Sequence, residues 1–331
     1  MTIHDLLFTS VNKTFIIVNS AAAKAQRAWP IVKERLAAGG IEFDFHETTH
    51  AGDATAKAHA ALMSGVATIA VVGGDGTLSE AAQGFFQFAD RLDQMPVVIN
   101  PAASLAILPA GTGDDFARGL KGRRETLIHW IDVLVAHCRN DNRETTQQTD
   151  VLYGVCDNYR TPFICLNAST MGIGGETAAR VAAQGKLMRS FSGEARFAAA
   201  ALASLFAWRE RRVRITVDEE TYEGEMNLAA VANGLYAGGG MMLSPQAKID
   251  DGKLDVVSAS GLSRAQVMRE LTRIHKGGHV ANPNVRITQG TGAQVETFKP
   301  EDAMPIEADG NVRGVTPVEF RVMPGVLKFV V

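Results

Sequence analysis

A chain of 331 residues with 46% hydrophobic and 21% charged residues is too long for one ordinary core and too apolar for a disordered segment, so two globular domains are expected. Its net charge of −3 supplies no field to hold a phosphate backbone, which argues against a nucleic-acid binder that works by net charge. The three cysteines, Cys138, Cys156 and Cys165, are odd in number and lack metal or redox spacing, so they read as packing residues of a reduced, cytoplasmic protein.

Residues 1–12 carry Asp5 and lack the basic and apolar regions of a secretory leader. The first third then alternates short apolar runs with helical patterns, as a parallel sheet wrapped by helices does. Phe15-Ile16-Ile17-Val18 reads as a strand ending at Asn19, and residues 24–38 as a helix stopped by Gly39-Gly40. Residues 41–46 form a second expected strand, followed after Gly52-Asp53 by a helix to Ser64. The run 66–72 is almost wholly apolar, as a strand buried on both faces must be, and it leads directly into a glycine turn.

From about Thr149 the pattern changes to many short strands, expected at 151–155, 163–167, 213–217, 228–232, 254–258, 285–288, 294–298, 318–322 and 327–331. Turn residues such as Asp251-Gly252 and Asp309-Gly310 punctuate them, which predicts an antiparallel sandwich. Helical patterns interrupt it at 193–209 and 264–275. The polar stretch Arg139-Asn140-Asp141-Asn142-Arg143-Glu144 has no apolar period and marks the boundary. The expected domains are therefore 1–138 and 139–331. The longest nearly uncharged helical stretch, 197–208, is about half of the ~20 residues that a bilayer span needs, so no transmembrane segment is expected.

The sharpest local signal is Gly73-Gly74-Asp75-Gly76-Thr77, between the buried strand and a helix with Leu78, Ala81, Ala82 and Phe85 on one face. The glycines permit close backbone approach, and the helix start offers N–H groups and a positive dipole end to a phosphate. Thr77 and Ser79 add candidate hydroxyl donors. There is no Walker lysine and no G-x-G-x-x-G fingerprint. Asp75 beside bound phosphates would be repulsive without a divalent cation, so the motif implies Mg²⁺. The plainer alternative is a tight turn after a strand, which uses the same residue types. A second Gly/Thr loop, Gly111-Thr112-Gly113-Asp114-Asp115-Phe116-Ala117-Arg118, again follows an apolar run and places acids at a helix start. Two such loops at the carboxyl ends of strands in one open sheet converge on one ligand.

These two motifs, with Glu80 after the first, resemble the diacylglycerol kinase catalytic family, which includes sphingosine kinases and bacterial lipid kinases. Asn233-Gly234, Gly238-Gly239-Gly240-Met241, Pro245, Ala247 and Asp250-Asp251-Gly252 resemble its second-domain signature, as do Asn167, Ser169 and Gly172. Asp309-Gly310 stands where that family has an Asp-Gly-Glu turn. The resemblance spans nearly the whole chain. It implies an α/β plus β fold: an N-terminal open parallel-sheet nucleotide domain, like those of NAD kinase and diacylglycerol kinase, and a C-terminal antiparallel β-sandwich. It further implies transfer of the ATP γ-phosphate to a lipid hydroxyl, with diacylglycerol as the default acceptor. The nucleotide would lie against Asn19, Thr48, the loop Gly73, Gly74, Asp75, Gly76, Thr77, Leu78 and Ser79, and Gly111 and Thr112. Asp309 would be the general base, a role that sphingosine kinases give to the residue matching Asp75. Mg²⁺ would be held by Asp75 and Asp115 with support from Glu80, and a second, structural Mg²⁺ by Asp251 with the carbonyls of Lys248 and Lys253. Glu176 matches the acid that meets the substrate head group in sphingosine kinases; a solvated acid in a helix's first turn is the alternative.

Three residues depart from the family pattern: Ser20 replaces a proline, Asp114 an asparagine and Asn311 a glutamate. The last two change charge in opposite senses, which suggests that Asp114 compensates for Asn311. Met241-Met242-Leu243 reads as acyl pocket or ordinary core. Arg209, Arg211, Arg212 and Arg214 read as a headgroup site or a solvated face. His275 and His279 are separated by Gly277-Gly278 and are a poor metal pair. The expected partner is a lipid at the membrane surface, met transiently from the cytoplasm, and a homodimer stays open. The rival readings are an NAD kinase and a non-catalytic nucleotide or lipid sensor.

Overall fold

A computed structural model of the chain describes residues 13–139, 145–185 and 193–331. The N-terminal residues 1–12 and residues 140–144 of the expected boundary lie outside the described residues.

The first half begins with β1 (Thr14–Val18), α1 (Ala23–Ala38), β2 (Phe43–Glu47), α2 (Asp53–Met63), β3 (Thr68–Gly73) and α3 (Asp75–Gln83). A two-strand ribbon, β4 (Phe86–Gln87) with β5 (Val97–Val98), precedes β6 (Ser104–Pro109), α4 (Asp115–Lys121) and α5 (Leu127–Cys138). The parallel strands lie in the order β6-β3-β1-β2. All six residues of β3 are buried, which explains its unbroken apolar sequence. Helix α1 buries Ala25, Ala28, Trp29, Val32 and Leu36, one stripe at helical spacing.

The second half holds β7 (Thr146–Cys156), β8 (Thr161–Cys165), β9 (Ala168–Gly172), α6 (Ile173–Ala182) and α7 (Gly193–Ala207). Then come β10 (Arg211–Val217), β11 (Glu220–Ala232), β12 (Tyr236–Ala237), β13 (Met241–Met242), β14 (Leu254–Ser260) and α8 (Arg264–Arg273). The last strands are β15 (Val285–Gly290), β16 (Gly292–Thr297), β17 (Pro305–Ala308), β18 (Asn311–Val315) and β19 (Val318–Val330). Pairing is antiparallel throughout this half, as the alternating texture predicts.

The two halves share a wall. Strand β7 turns Val151, Tyr153 and Val155 into the first core and Leu152 and Cys156 into the second, the two-faced alternation of a strand. The two strands expected at 318–322 and 327–331 are one, β19. It pairs with β16 and β7, then bends at a bulge between Met323 and Leu327, and ends parallel to β6 through Lys328↔Ser104 and Phe329↔Leu105. A cut at 138/139 thus parts β6 from a strand that it is bonded to. Among the described residues, no helix is long and apolar enough to cross a membrane. All three cysteines are free; Cys156 and Cys165 are buried and Cys138 is half-buried.

Candidate active site

Strands β3 and β6 are neighbours in register, with Gly73 opposite Pro109, so the loops that follow them leave the sheet side by side. Only glycine lets them touch: a Cβ on Gly111 would stand 2.5 Å from the Cα of Gly74. Asp75, the first residue of α3, ties the loops together. Its carboxylate accepts the N–H of Asp115 and of Phe116, both at 3.0 Å. Asp115 reaches the other half of the molecule, where its Oδ2 accepts the N–H of Gly239 at 2.7 Å. Gly238, Gly239 and Gly240 all have positive φ, which bends this run over the acid.

The half-buried carboxyl of Asp75 and the buried one of Asp115 thus lie close enough for the charge of one to act on the other. Burial, then the charge of Asp115, pushes the Asp75 carboxyl up to about 7, and burial also raises that of Asp115. Asp115 Oδ1 is buried without a hydrogen-bond partner, which an acid tolerates when a cation completes its shell. No group of three or more His, Cys, Asp or Glu among the described residues is placed to hold a metal. Mg²⁺, however, needs only one or two carboxylates beside phosphate oxygens and water, and this pair fits that demand.

The remaining predicted residues divide into those that join this centre and those turned elsewhere. Asn19 donates from Nδ2 to Thr77 Oγ1 at 2.8 Å, and Ser20 donates to the carbonyl of Thr48, so the ends of β1 and β2 border the glycine loop. Thr112 is exposed beside Gly193 at the start of α7. Leu78 is buried in the first core, so only its backbone borders the loop. The Ser79 hydroxyl is also buried and accepts from Arg313 at 2.9 Å. Glu80 turns to α2, where its carboxylate accepts the N–H of Gly52 at 3.0 Å. Glu176 is paired with Arg211 at 2.9 Å. Asp251 caps its own turn by accepting the N–H of Lys253 at 3.1 Å, with Lys248 exposed alongside.

The Asp309–Gly310 turn joins β17 to β18 and rests on the glycine loop. Asn311 Nδ2 donates to the carbonyl of Gly76 at 3.1 Å, and a Cβ on Gly310 would lie 3.8 Å from Gly76. The carboxylate of Asp309 nevertheless points to the β8–β9 turn. It accepts the N–H groups of Leu166 (2.8 Å), Asn167 (2.9 Å) and Ala168 (3.2 Å), and the thiol of Cys165 at 3.4 Å. The charge of Asp114 acts on the carboxyls of Asp75 and Asp115, as the suggested compensation for Asn311 requires, although its own oxygens are engaged elsewhere. Asp114 spends its carboxylate on the Gly111 N–H (2.8 Å) and on Arg124 (3.0 Å).

Three supports escaped sequence reasoning. Asp150, buried, accepts the N–H of Gly252 at 2.6 Å and of Gly325 at 2.7 Å, and so fixes the 248–253 loop. Arg313 bonds the second half to α3, and Glu307 bonds the 309–311 turn. Asp150 and Glu307 sit in strands whose alternation hides which acids face a turn; an acid two residues before Asp-Gly was the one available cue.

A parallel-sheet half with two touching glycine loops, facing a β-sandwich that closes over their acids, defines a two-domain kinase fold. Residues 13–145 match the diacylglycerol kinase catalytic domain, and residues 170–331 match the YegS C-terminal NAD kinase beta sandwich-like domain. A protein of Xanthomonas campestris pv. campestris named "Probable lipid kinase YegS-like" is 31% identical over 249 residues, covering 73% of this chain and 72% of that one. The diacylglycerol kinase of Bacillus subtilis is 26% identical over 302 residues, 87% of this chain and 86% of its own. The crystal structure of a diacylglycerol kinase from Bacillus anthracis superposes with a TM-score of 0.65 at 20% identity, covering 97% of each chain. The chain belongs to the diacylglycerol kinase family of lipid kinases.

Proposed function

We propose that this protein transfers the γ-phosphoryl group of ATP to the hydroxyl of a diacylglycerol-like lipid. The observation that carries the reading is the Asp75 carboxylate, which holds the 111–115 loop against the 73–77 loop while facing a second acid that has an unsatisfied oxygen. Asp75 and Gly76 precede the first helical bonds, which Thr77 and Leu78 donate to the Gly74 carbonyl, so the start of α3 is built to receive phosphate oxygens. Asp75 and Asp115 would hold Mg²⁺, which when bound supplies charge neutralisation at the phosphates. Asn19 orients Thr77, and Gly239 closes over Asp115 from the lipid half, so the ordering of the nucleotide loops is coupled to the closure of the second domain. Asp309, with its carboxylate filled by N–H donors, holds the turn that seats Asn311 on Gly76. The outcome of this chemistry is decided by position and charge, as phosphoryl transfer requires.

The test is labelled ATP with Mg²⁺ and a dispersed lipid extract, with identification of the product. A labelled phospholipid is expected from the wild type and none from Asp75→Asn. Labelled NADP from added NAD, or nucleotide binding without turnover, would sink the reading.

A further inference from the structure

Helix α8 and the 3-10 turn Ile274–Lys276 that continues it turn a long face to solvent. Arg264, Met268, Leu271 and His275 recur along it at helical spacing and are all exposed, as are Arg269 and Lys276 beside them. Met268 is 42% and Leu271 37% exposed, so two large apolar side chains stand among cations. The last turn of α7 adjoins this face. Arg264 donates to the carbonyls of Leu205 and Phe206 at 3.3 and 3.0 Å, and Phe206 is 68% exposed.

The charge of this segment is opposite to that of the chain. Residues 261–282 hold Arg264, Arg269, Arg273 and Lys276 against Glu270 alone, four cations less one acid, or +3 where the whole chain carries −3. Glu270 is itself buried, accepting from Arg269 and Arg273 at 3.2 Å and from Asn282 at 3.0 Å. The arginines that sequence reasoning offered for a headgroup are spent elsewhere: Arg209 on Asp302, Arg211 on Glu176, and Arg212 and Arg214 both on Glu223.

The same segment adjoins the active centre. His275 donates from Nδ1 to the carbonyl of Gly240 at 3.2 Å, and a Cβ on Gly277 would stand 2.8 Å from Pro245 and 3.2 Å from Met242. The turn after α8 therefore rests against the glycine run whose Gly239 N–H bonds Asp115.

Resting on the lipid-kinase reading above, we propose that α8, with Phe206 beside its first residue, is the surface by which this protein lies on an anionic bilayer. Met268, Leu271 and Phe206 enter the boundary between headgroups and acyl chains, and Arg264, Arg269 and Lys276 meet lipid phosphates. A second copy of the chain fits the face poorly, because two surfaces of like charge repel. Docked in this way, the protein holds the segment that covers Asp115 beside the membrane, where a water-insoluble acceptor is met.

Flotation of the whole nucleotide-free chain with vesicles of phosphatidylglycerol and phosphatidylcholine tests this. Wild type is expected to bind the mixed vesicles at least about tenfold more tightly than phosphatidylcholine alone, and to leave them at high salt. Arg269→Gln with Lys276→Gln should weaken that binding by about 30-fold. Met268→Gln with Leu271→Gln should also weaken it, with the salt dependence kept. Neither double variant should shift the thermal midpoint. Binding by either variant within about threefold of wild type overturns the assignment, as does wild-type binding that ignores phosphatidylglycerol. So does a dimer in sedimentation that the Met268 and Leu271 changes dissolve, since that marks a contact between copies. A wild type that binds vesicles through these residues but phosphorylates no lipid keeps the docking surface and loses the kinase reading. One that phosphorylates lipid in detergent micelles but binds no vesicle does the reverse.

Discussion

Asp75 and Asp115 show how one pair of side chains couples stability to charge. The folded carboxyl of Asp75 titrates at about 7 against an ordinary value of 3.8, so the folded state holds more protons than the unfolded one between those values. Stability from this group is therefore present at low pH and is lost as pH rises through about 7. Asp115→Asn removes one charge while its side-chain oxygen can still accept from Gly239. The ligand-free variant is expected to be more stable than wild type at pH 8 by on the order of 1 kcal/mol, with a smaller gain at pH 5, where Asp75 is protonated and only the burial cost of the Asp115 charge is relieved, and with transfer abolished. Equal melting curves for the two proteins at pH 8 would mean that the carboxyls do not repel each other.

At this scale the sequence was legible where backbone chemistry dictated the residue and opaque where direction mattered. The glycines and Asp75 announced the tight turn at which the two loops touch. Glu80 was expected to join the same acids, but five residues along a helix amount to about 140° of rotation from Asp75, which turns it to Gly52. Asp309 has φ of 51°, and this left-handed turn sends its carboxylate back over the β8–β9 backbone. Neither direction is written in residue type.

At the scale of elements, the site depends on two loops held at glycine-to-glycine distance. Gly111→Ala should force them apart, because the new methyl would meet the Gly74 backbone, which cannot rotate away as a side chain can. Nucleotide affinity measured by calorimetry should fall by at least about tenfold, or roughly 1.4 kcal/mol, with the overall fold retained. Wild-type affinity would show that the loops need not touch.

The apolar runs of β1 and β3 and the mixed apolar–polar patterns of β10 and β14 were readable from the sequence. Strands β9, β17 and β18 were not, because Ala168–Gly172, Pro305–Ala308 and Asn311–Val315 are short and lack a sustained apolar alternation. They exist because neighbours pair with them. The break expected between strands at 318–322 and 327–331 is only a bulge, which absorbs Pro324 and Gly325 within β19.

For the whole molecule, composition correctly separated a parallel half from an antiparallel one but implied more independence than they have. Phe329 of β19 is fully buried in the first core, with its ring centroid 4.8 Å from that of Phe116 on α4. Phe329→Ala is expected to cost about 3–5 kcal/mol. Scanning calorimetry should show both halves melting together at the lower temperature, because β7 and β19 belong to each. Two resolved transitions, with only one of them shifted, would contradict that coupling.

The pairing of Lys328 with Ser104 also sets an order of events during synthesis. Strand β6 leaves the ribosome long before its neighbour has been translated, so the nascent nucleotide half carries a bare sheet edge while the entire sandwich is being made. Such an edge invites foreign strands. The vulnerable species in a cell is therefore the unfinished chain, and slowing translation of the second half should increase its capture by chaperones or its loss to inclusion bodies, even though the completed protein has no such edge at β6.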